Sequence, residues 1–346
     1  MIYIFNNISI FMYSFILKHI KTFDRKEKFL FLSFLQMSLI IGFRYAVGAD
    51  FFSYIKIFEY LKNDKKVEIE IGFKLINILC IRFGIPYWGV NLIIAILTNL
   101  FLVLAITNFN VMALTAIYFY ISFFFFYHSM NQIRQGIAMT IGLYAISKLC
   151  KGENKKFFLL IILASLFHMS ALIYFVLYFL KDYEINLKIY FIYFMGTLVT
   201  LVGYNIFVSI IAFSKYGIYF NSYYDKQFTI TSIVNLCVRF IILLFVLYYS
   251  KKIKNGLTKN ILYHMAFLCT FFQVLTIYSS VFGRVTSLFF IGYVILFPLI
   301  ISGIGKKNKI KELCYIGATL YQFVYYHIMK TSVLVNDYQS IFSCKN

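Results

Sequence analysis

Apolar runs of about 20 residues recur along this chain, each long enough for a helix to cross a hydrocarbon core of about 30 Å. Hydrophobic residues make up 62% of the sequence and charged residues only 13%, whereas a soluble domain has roughly a quarter charged residues. Two prolines and long unbroken runs favour helices, which satisfy their own backbone hydrogen bonds in lipid. The sequence therefore predicts an all-α, polytopic membrane protein in which residues 1–346 form a single integral membrane domain.

The positive charge is spread over short loops rather than gathered on one face. Its net value of +20 would suit nucleic acid, but lysines between apolar runs are typical of cytoplasmic loops, so no nucleic-acid partner is predicted. Residues 44–70 carry five basic and five acidic side chains, and this balance places them outside. We predict outer-face loops at 44–84 and 214–230. The predicted cytoplasmic loops are 18–28, 148–156, 251–259 and 306–311.

These loop positions restrict how many runs can cross the membrane. An odd number must lie between the outer segment and the loop at 148, so the short polar run 71–84 is predicted to lie along the outer interface. An even number must lie between 156 and 251, so one apolar run is predicted to be broken or re-entrant. The run 157–180 is favoured, and a break near Gly203 is the alternative. About ten crossings plus one broken helix result. The runs predicted to cross include 1–17, 88–107, 109–127, 130–149, 189–213, 231–249 and 285–304.

Three of the six arginines fall at the outer ends of predicted spans: Arg44, Arg134 and Arg284. A planar guanidinium suits a diphosphate or a carboxylate, although any one arginine could simply extend to lipid headgroups. Arg134 and Arg284 also start helices that run inward from the outer face, where the helix dipole favours an anion. The sequence therefore predicts a site for a diphosphate at the membrane surface.

Polar and aromatic neighbours of these arginines are the candidate substrate-binding groups, together with Arg44 itself: Tyr54, Asn131 and Gln135. Two residues compete for the role of general base. His168 lies in the middle of an apolar run, where it is either a base or an imidazole satisfied by a nearby group. Asp50 is a carboxylate close in sequence to Arg44, and it could equally be the ion-pair partner of that arginine. The Tyr-rich stretch 214–230 could contact sugar or form an ordinary interfacial aromatic belt.

Five segments, in this order, resemble the EpsG family of Wzy-type polymerases. They are GFRYAVGADFFSY at 42–54, EIGFKLIN at 70–77, NQIRQGIAM at 131–139, SLFHMSALI at 165–173 and FGR at 282–284. The resemblance implies a GT-C-like glycosyltransferase of the bacterial inner membrane. Such an enzyme joins oligosaccharide repeats carried on undecaprenyl diphosphate into an exopolysaccharide, capsular or O-antigen chain at the outer leaflet. It implies no metal and no cofactor, and as partners membrane lipid, a flippase and a chain-length regulator.

The chemistry of this reaction suggests roles for the matching residues. A leaving lipid diphosphate develops negative charge, which Arg134 and Arg284 would meet with Arg44 assisting. The attacking hydroxyl needs a base, for which His168 is ranked before Asp50 while the choice stays open. The alternatives are a transporter or flippase of lipid-linked oligosaccharide, which would use the arginines only for binding, and a membrane acyltransferase.

Overall fold

The computed structural model describes residues 8–10, 12, 23–204, 206, 209, 230–254, 256–304, 309–331 and 338–342. In this part of the chain almost all regular structure is helical, which confirms the predicted class. The helices are α1 (Phe23–Gly42), α2 (Phe51–Lys62), α3 (Ile71–Arg82), α4 (Tyr87–Phe109), α5 (Ala113–Ser122), α6 (Phe125–Asn131), α7 (Ile133–Cys150), α8 (Asn154–Ser165), α9 (Val176–Leu180), α10 (Leu187–Val202), α11 (Ile230–Tyr248), α12 (Leu257–Leu275), α13 (Phe282–Phe290), α14 (Tyr293–Gly303) and α15 (Ile310–Thr331). Two-residue strands, β1 (Arg44–Tyr45) and β2 (Gln339–Ser340), pair antiparallel.

Length and apolar composition identify fewer spans than the sequence predicted. Over the described ranges, two helices are long and apolar enough to cross a membrane, Tyr87–Phe109 and Phe282–Gly303, the latter comprising α13 and α14. The bent pair of α5 and α6 would be a third span. The predicted ten crossings are therefore not confirmed. Most of the predicted first span, 1–17, and nearly all of the loop 214–230 lie outside the described residues.

The predicted crossing 109–127 is interrupted: most of it forms the bent pair α5 and α6 rather than one straight helix. α5 and α6 meet at 58°, and Phe124 between them has a φ of 73°. Such a left-handed conformation is uncommon for a residue with a side chain, and it ends the regular hydrogen-bond pattern. The run SFFFFYH contains no glycine or proline, so no residue in it predicted this bend.

The predicted interruption of the run 157–180 is present. α8 ends at Ser165, and a short 3₁₀ helix, Met169–Phe175, begins after His168. The alternative position, Gly203, follows the end of α10 at Val202. Between Gly203 and α11 only Tyr204 and residues 206 and 209 are described. Whether the run 189–213 is broken beyond Gly203 therefore lies outside the described residues.

The helix α3 has an apolar outward side. Its 12 residues extend about 18 Å, too short to cross the hydrocarbon core of a bilayer. Gly72, Phe73, Ile76, Asn77 and Cys80 are buried. The large side chains at spacings of four residues are exposed instead: Ile71, Leu75, Leu79 and Phe83. A helix that lies along a lipid interface presents such an apolar side to the lipid. The position of α3 in the membrane stays a prediction.

The chain divides into two compact units. The first contains residues 1–174 and 297–346, and in it α4 packs against α1 and α7, α7 packs against α8, and α15 packs against α5. The second contains residues 175–296, and in it α12 packs against α10, α11 and α13. His264 of α12 is held there by the Tyr193 hydroxyl at 2.9 Å and the Tyr183 carbonyl at 2.8 Å.

Candidate functional site

The site is built where α3 meets the interruption that follows α8. The backbone N–H of Gly72 donates to the carbonyl of Leu166 at 2.7 Å. Carbonyls at the end of a helix lack a partner within the helix, so Leu166 has an acceptor to offer. A Cβ on Gly72 would lie 2.8 Å from that oxygen, and this close approach requires glycine. The contact brings Glu70, two residues earlier, beside His168, two residues after Leu166.

Three side chains from distant parts of the sequence meet here, and we call them the Glu70 cluster: Glu70, Arg134 and His168. The Nδ1 atom of His168 lies 3.2 Å from Oε1 of Glu70. Nη1 of Arg134 donates to the other oxygen, Oε2. The exposed fractions of the side chains are 17% for Glu70, 20% for His168 and 29% for Arg134. The cluster is thus sheltered but open to a ligand.

The carboxyl group of Glu70 is ionised at any physiological pH. Burial raises its pKa, but the hydrogen bond with His168 and the charge of Arg134 lower it more, to about 2. An ionised carboxylate can only accept hydrogen bonds, so Nδ1 of His168 must carry a proton. In the neutral ring the lone pair is then on Nε2, which is not the atom that contacts Glu70. His168 is therefore held in the tautomer that can accept a proton.

Arg134 occupies the first turn of α7, as the sequence predicted. Its guanidinium carbon lies 5.8 Å from the centre of the Tyr54 ring, so a second candidate residue lines the same place. The amide groups at a helix start point toward this position and favour negative charge. Arg134 and the α7 dipole thus place positive charge beside the Glu70 carboxylate, with the Tyr54 ring next to the guanidinium.

Asp50 and Asn131 are joined to each other through the backbone. The Asp50 N–H donates to Oδ1 of Asn131 at 3.1 Å, which ties the start of α2 to the end of α6. Gln135 is buried at 2% exposure. The carboxylate that contacts His168 is Glu70, so the structure pairs the histidine with a residue other than the predicted competitor Asp50. The roles predicted for Asp50, Asn131 and Gln135 stay predictions.

The other two predicted arginines are Arg44 and Arg284. Arg44 is fully buried, its Nη1 donates to the carbonyl of Ile41 at 2.7 Å, and its backbone pairs with Ser340. In this conformation its guanidinium is not at the surface, so its contact with substrate stays a prediction. Arg284 is exposed in the first turn of α13, in the second unit, and its action together with Arg134 likewise stays a prediction.

Glu70 is the functional candidate that sequence reasoning missed. It stands in the segment EIGFKLIN, which contributed to the family resemblance, but no role was assigned to it. Glu68, two residues earlier, has the same side chain, and only the fold separates the two. The signal that could have found Glu70 is its place two residues before Gly72, because glycine there indicates a close backbone approach.

Replacing Gly72 by alanine is expected to destabilise the protein by roughly 1–3 kcal/mol, the cost of forcing a methyl group into a packed contact. The measurement is the melting temperature of the purified protein in detergent. Gly196→Ala is the matched control, because no atom lies within 4 Å of a Cβ at that helical position, and alanine favours helices. An unchanged melting temperature for Gly72→Ala would contradict the close approach to Leu166.

Among the residues that the structure describes, no group of three or more His, Cys, Asp or Glu side chains is placed to hold a metal ion. The metal-free reaction implied by the resemblance is neither supported nor opposed by this observation.

Comparison with known proteins gives one match. The protein-family model described as the EpsG family matches residues 27–346, which include all three members of the Glu70 cluster. No curated protein and no solved structure matches this chain.

Proposed function

The chain belongs to the EpsG family, a family of Wzy-type polymerases, and from this premise we propose that it polymerises lipid-linked oligosaccharide repeats in the membrane. We further propose that the repeats are carried on undecaprenyl diphosphate. They are joined at the outer leaflet of the bacterial inner membrane into an exopolysaccharide, capsular or O-antigen chain. The observation that carries the proposal is the Glu70 cluster, in which a base-competent imidazole and a guanidinium share one carboxylate.

The proposed reaction is a glycosyl transfer. A sugar hydroxyl of one lipid-linked repeat attacks the anomeric carbon of the chain held on a second lipid diphosphate. The bond between that carbon and the diphosphate oxygen breaks, and a glycosidic bond forms. Nε2 of His168 takes the hydroxyl proton. The leaving lipid diphosphate keeps the electron pair of the broken bond, and Arg134 meets its growing negative charge.

Other residues complete the proposed site. Arg284 and Arg44 are proposed to assist with the diphosphate, while Tyr54, Asn131 and Gln135 are proposed to bind substrate. Asp50 remains the competing base. The hydrogen bond between Glu70 and His168 supports His168 as the general base, because it leaves Nε2 with a lone pair.

We also propose that the enzyme is a GT-C-like, multi-pass protein with about ten crossings that acts without a metal or cofactor. A flippase would deliver its substrate, and a chain-length regulator would set the size of the product. The apolar helices α4 and α13–α14 and the family match support the membrane location.

The decisive experiment supplies the purified, reconstituted protein with undecaprenyl-diphosphate-linked repeats and separates the products by size. We expect lipid-linked chains longer than one repeat. If the repeats change leaflet without lengthening, the protein is a transporter and the polymerase proposal is wrong. If the repeats gain acyl groups instead of sugars when an acyl donor is added, the acyltransferase alternative is correct.

A further inference from the structure

We propose that Glu70 is a positioning residue that couples the two halves of the site: it occupies Arg134 until a diphosphate displaces it, and it holds His168 ready to accept a proton. This inference rests on the proposed function. Its basis is the division of one carboxylate between two partners, with Oε2 on Arg134 and Oε1 on His168. Any change in the contact with one partner therefore changes the contact with the other.

The backbone holds Glu70 where both contacts can form. The hydrogen bond from Gly72 to Leu166 fixes the chain two residues beyond Glu70 at 2.7 Å. His168 follows Leu166 by two residues, so the same contact positions both members of the His168–Glu70 pair. Because each carboxylate oxygen has its own partner, release of Oε2 from Arg134 leaves the contact of Oε1 with His168 in place.

Arg134 has donors to spare for an incoming anion. A guanidinium carries five N–H groups, and the Nε atom of Arg134 is buried without a hydrogen-bond partner among the described residues. A diphosphate carries more negative charge than one carboxylate and can bind a guanidinium with two oxygens. It is therefore expected to replace Glu70 on Arg134, which makes Glu70 an internal competitor of the substrate.

Displacement from Arg134 leaves the carboxylate with His168 as its remaining partner. When the hydroxyl proton reaches Nε2, the ring becomes a cation, and a neighbouring carboxylate stabilises that cation. The negative charge of Glu70 is then directed at the base at the moment when the leaving group is bound. Diphosphate binding at Arg134 thus prepares His168 to accept the proton, although these two residues lie far apart in the sequence.

The variant Glu70→Gln distinguishes this coupling from a purely structural role of Glu70. Because the variant removes the internal anion, inorganic pyrophosphate is expected to bind about 5-fold more tightly or better, within the usual range of coupling between two sites. In the elongation assay kcat is expected to fall by about 10²- to 10⁴-fold, while KM does not rise. Isothermal titration calorimetry of the full chain in detergent measures the first quantity, and initial elongation rates measure the second.

Glu68→Gln is the matched control. It makes the same change of charge two residues away, at an exposed position, and it is expected to match the wild type in both measurements. Glu70→Asp keeps the charge but shortens the reach, so pyrophosphate affinity is expected to stay near wild type while kcat falls. This variant tests the proposal even if Glu70→Gln does not insert.

The results distinguish this inference from the proposed function. Weaker pyrophosphate binding by Glu70→Gln, or an unchanged kcat in a wild-type enzyme that elongates, would overturn the coupling while leaving the polymerase intact. If the wild type does not elongate at all, the proposed function fails. The pyrophosphate titration, which needs no sugar, would then still decide whether Glu70 competes for Arg134.

Discussion

Replacing His168 by alanine is expected to lower the rate of chain elongation by about 10²- to 10⁴-fold, the usual contribution of a general base. The reason is that Glu70 holds Nδ1 of His168, which leaves the lone pair of the neutral ring on Nε2. The measurement is the initial rate at saturating lipid-linked repeat, with insertion checked by the melting temperature. Binding of inorganic pyrophosphate is expected to persist, because Arg134 remains.

Two further variants make this result specific to proton transfer. His168→Gln can still donate an N–H to Glu70 but cannot take up a proton, so it is expected to be as inactive as alanine while melting like the wild type. His327→Ala removes an exposed histidine that contacts the Phe323 ring edge to face, and it is expected to leave the rate unchanged. If His168→Gln elongates at the wild-type rate, the base lies elsewhere, and Asp50 is the next residue to test.

Replacing Arg134 by alanine is expected to lower elongation by about 10²- to 10³-fold, the effect of removing one fixed group that stabilises developing negative charge. The substitution also leaves the partly buried Glu70 carboxylate with one partner fewer, so a lower melting temperature is expected as well. Rates are therefore compared below the melting transition of the variant, and the pyrophosphate affinity is measured in parallel. Both quantities should fall.

Arg134→Lys separates the charge of this residue from its shape. Lysine keeps the cation and can pair with Glu70, but it lacks the planar fork that binds two oxygens of a diphosphate. An intermediate rate with a nearly normal melting temperature is expected. Arg82→Ala is the control, because Arg82 is exposed at the end of α3. Full activity in Arg134→Ala would show that the leaving group is met by other cations.

The helical class of this protein could be predicted from the length of its apolar runs. Charge counting required one broken run between 156 and 251, and His168 in the middle of 157–180 favoured that run, in which α8 ends at Ser165. The number of crossings used in that count stays a prediction. The bend at Phe124 could not be predicted, since no glycine or proline marks it. Its left-handed conformation comes from packing, which short-range patterns do not contain.

Individual members of the site could be predicted more easily than their pairing. Arg134 and His168 stand out because charged and ionisable side chains are rare in apolar runs. Glu70 does not, because its partners lie 64 and 98 residues away in the sequence and Glu68 looks identical to it. What distinguishes Glu70 is the contact of Gly72 with Leu166, and such a contact exists only once the chain has folded.

The exposed apolar side of α3 links the chemistry to the lipid around it. Ile71, Leu75, Leu79 and Phe83 favour one depth at the boundary between hydrocarbon and headgroups, and Glu70 precedes this helix directly. With α3 at the outer interface, as predicted, the height of the Glu70 carboxylate above the bilayer centre would follow the local thickness of the bilayer. Because the Gly72–Leu166 hydrogen bond holds Glu70 and His168 together, a longer or shorter acyl chain would move the pair as one unit relative to the lipid headgroups.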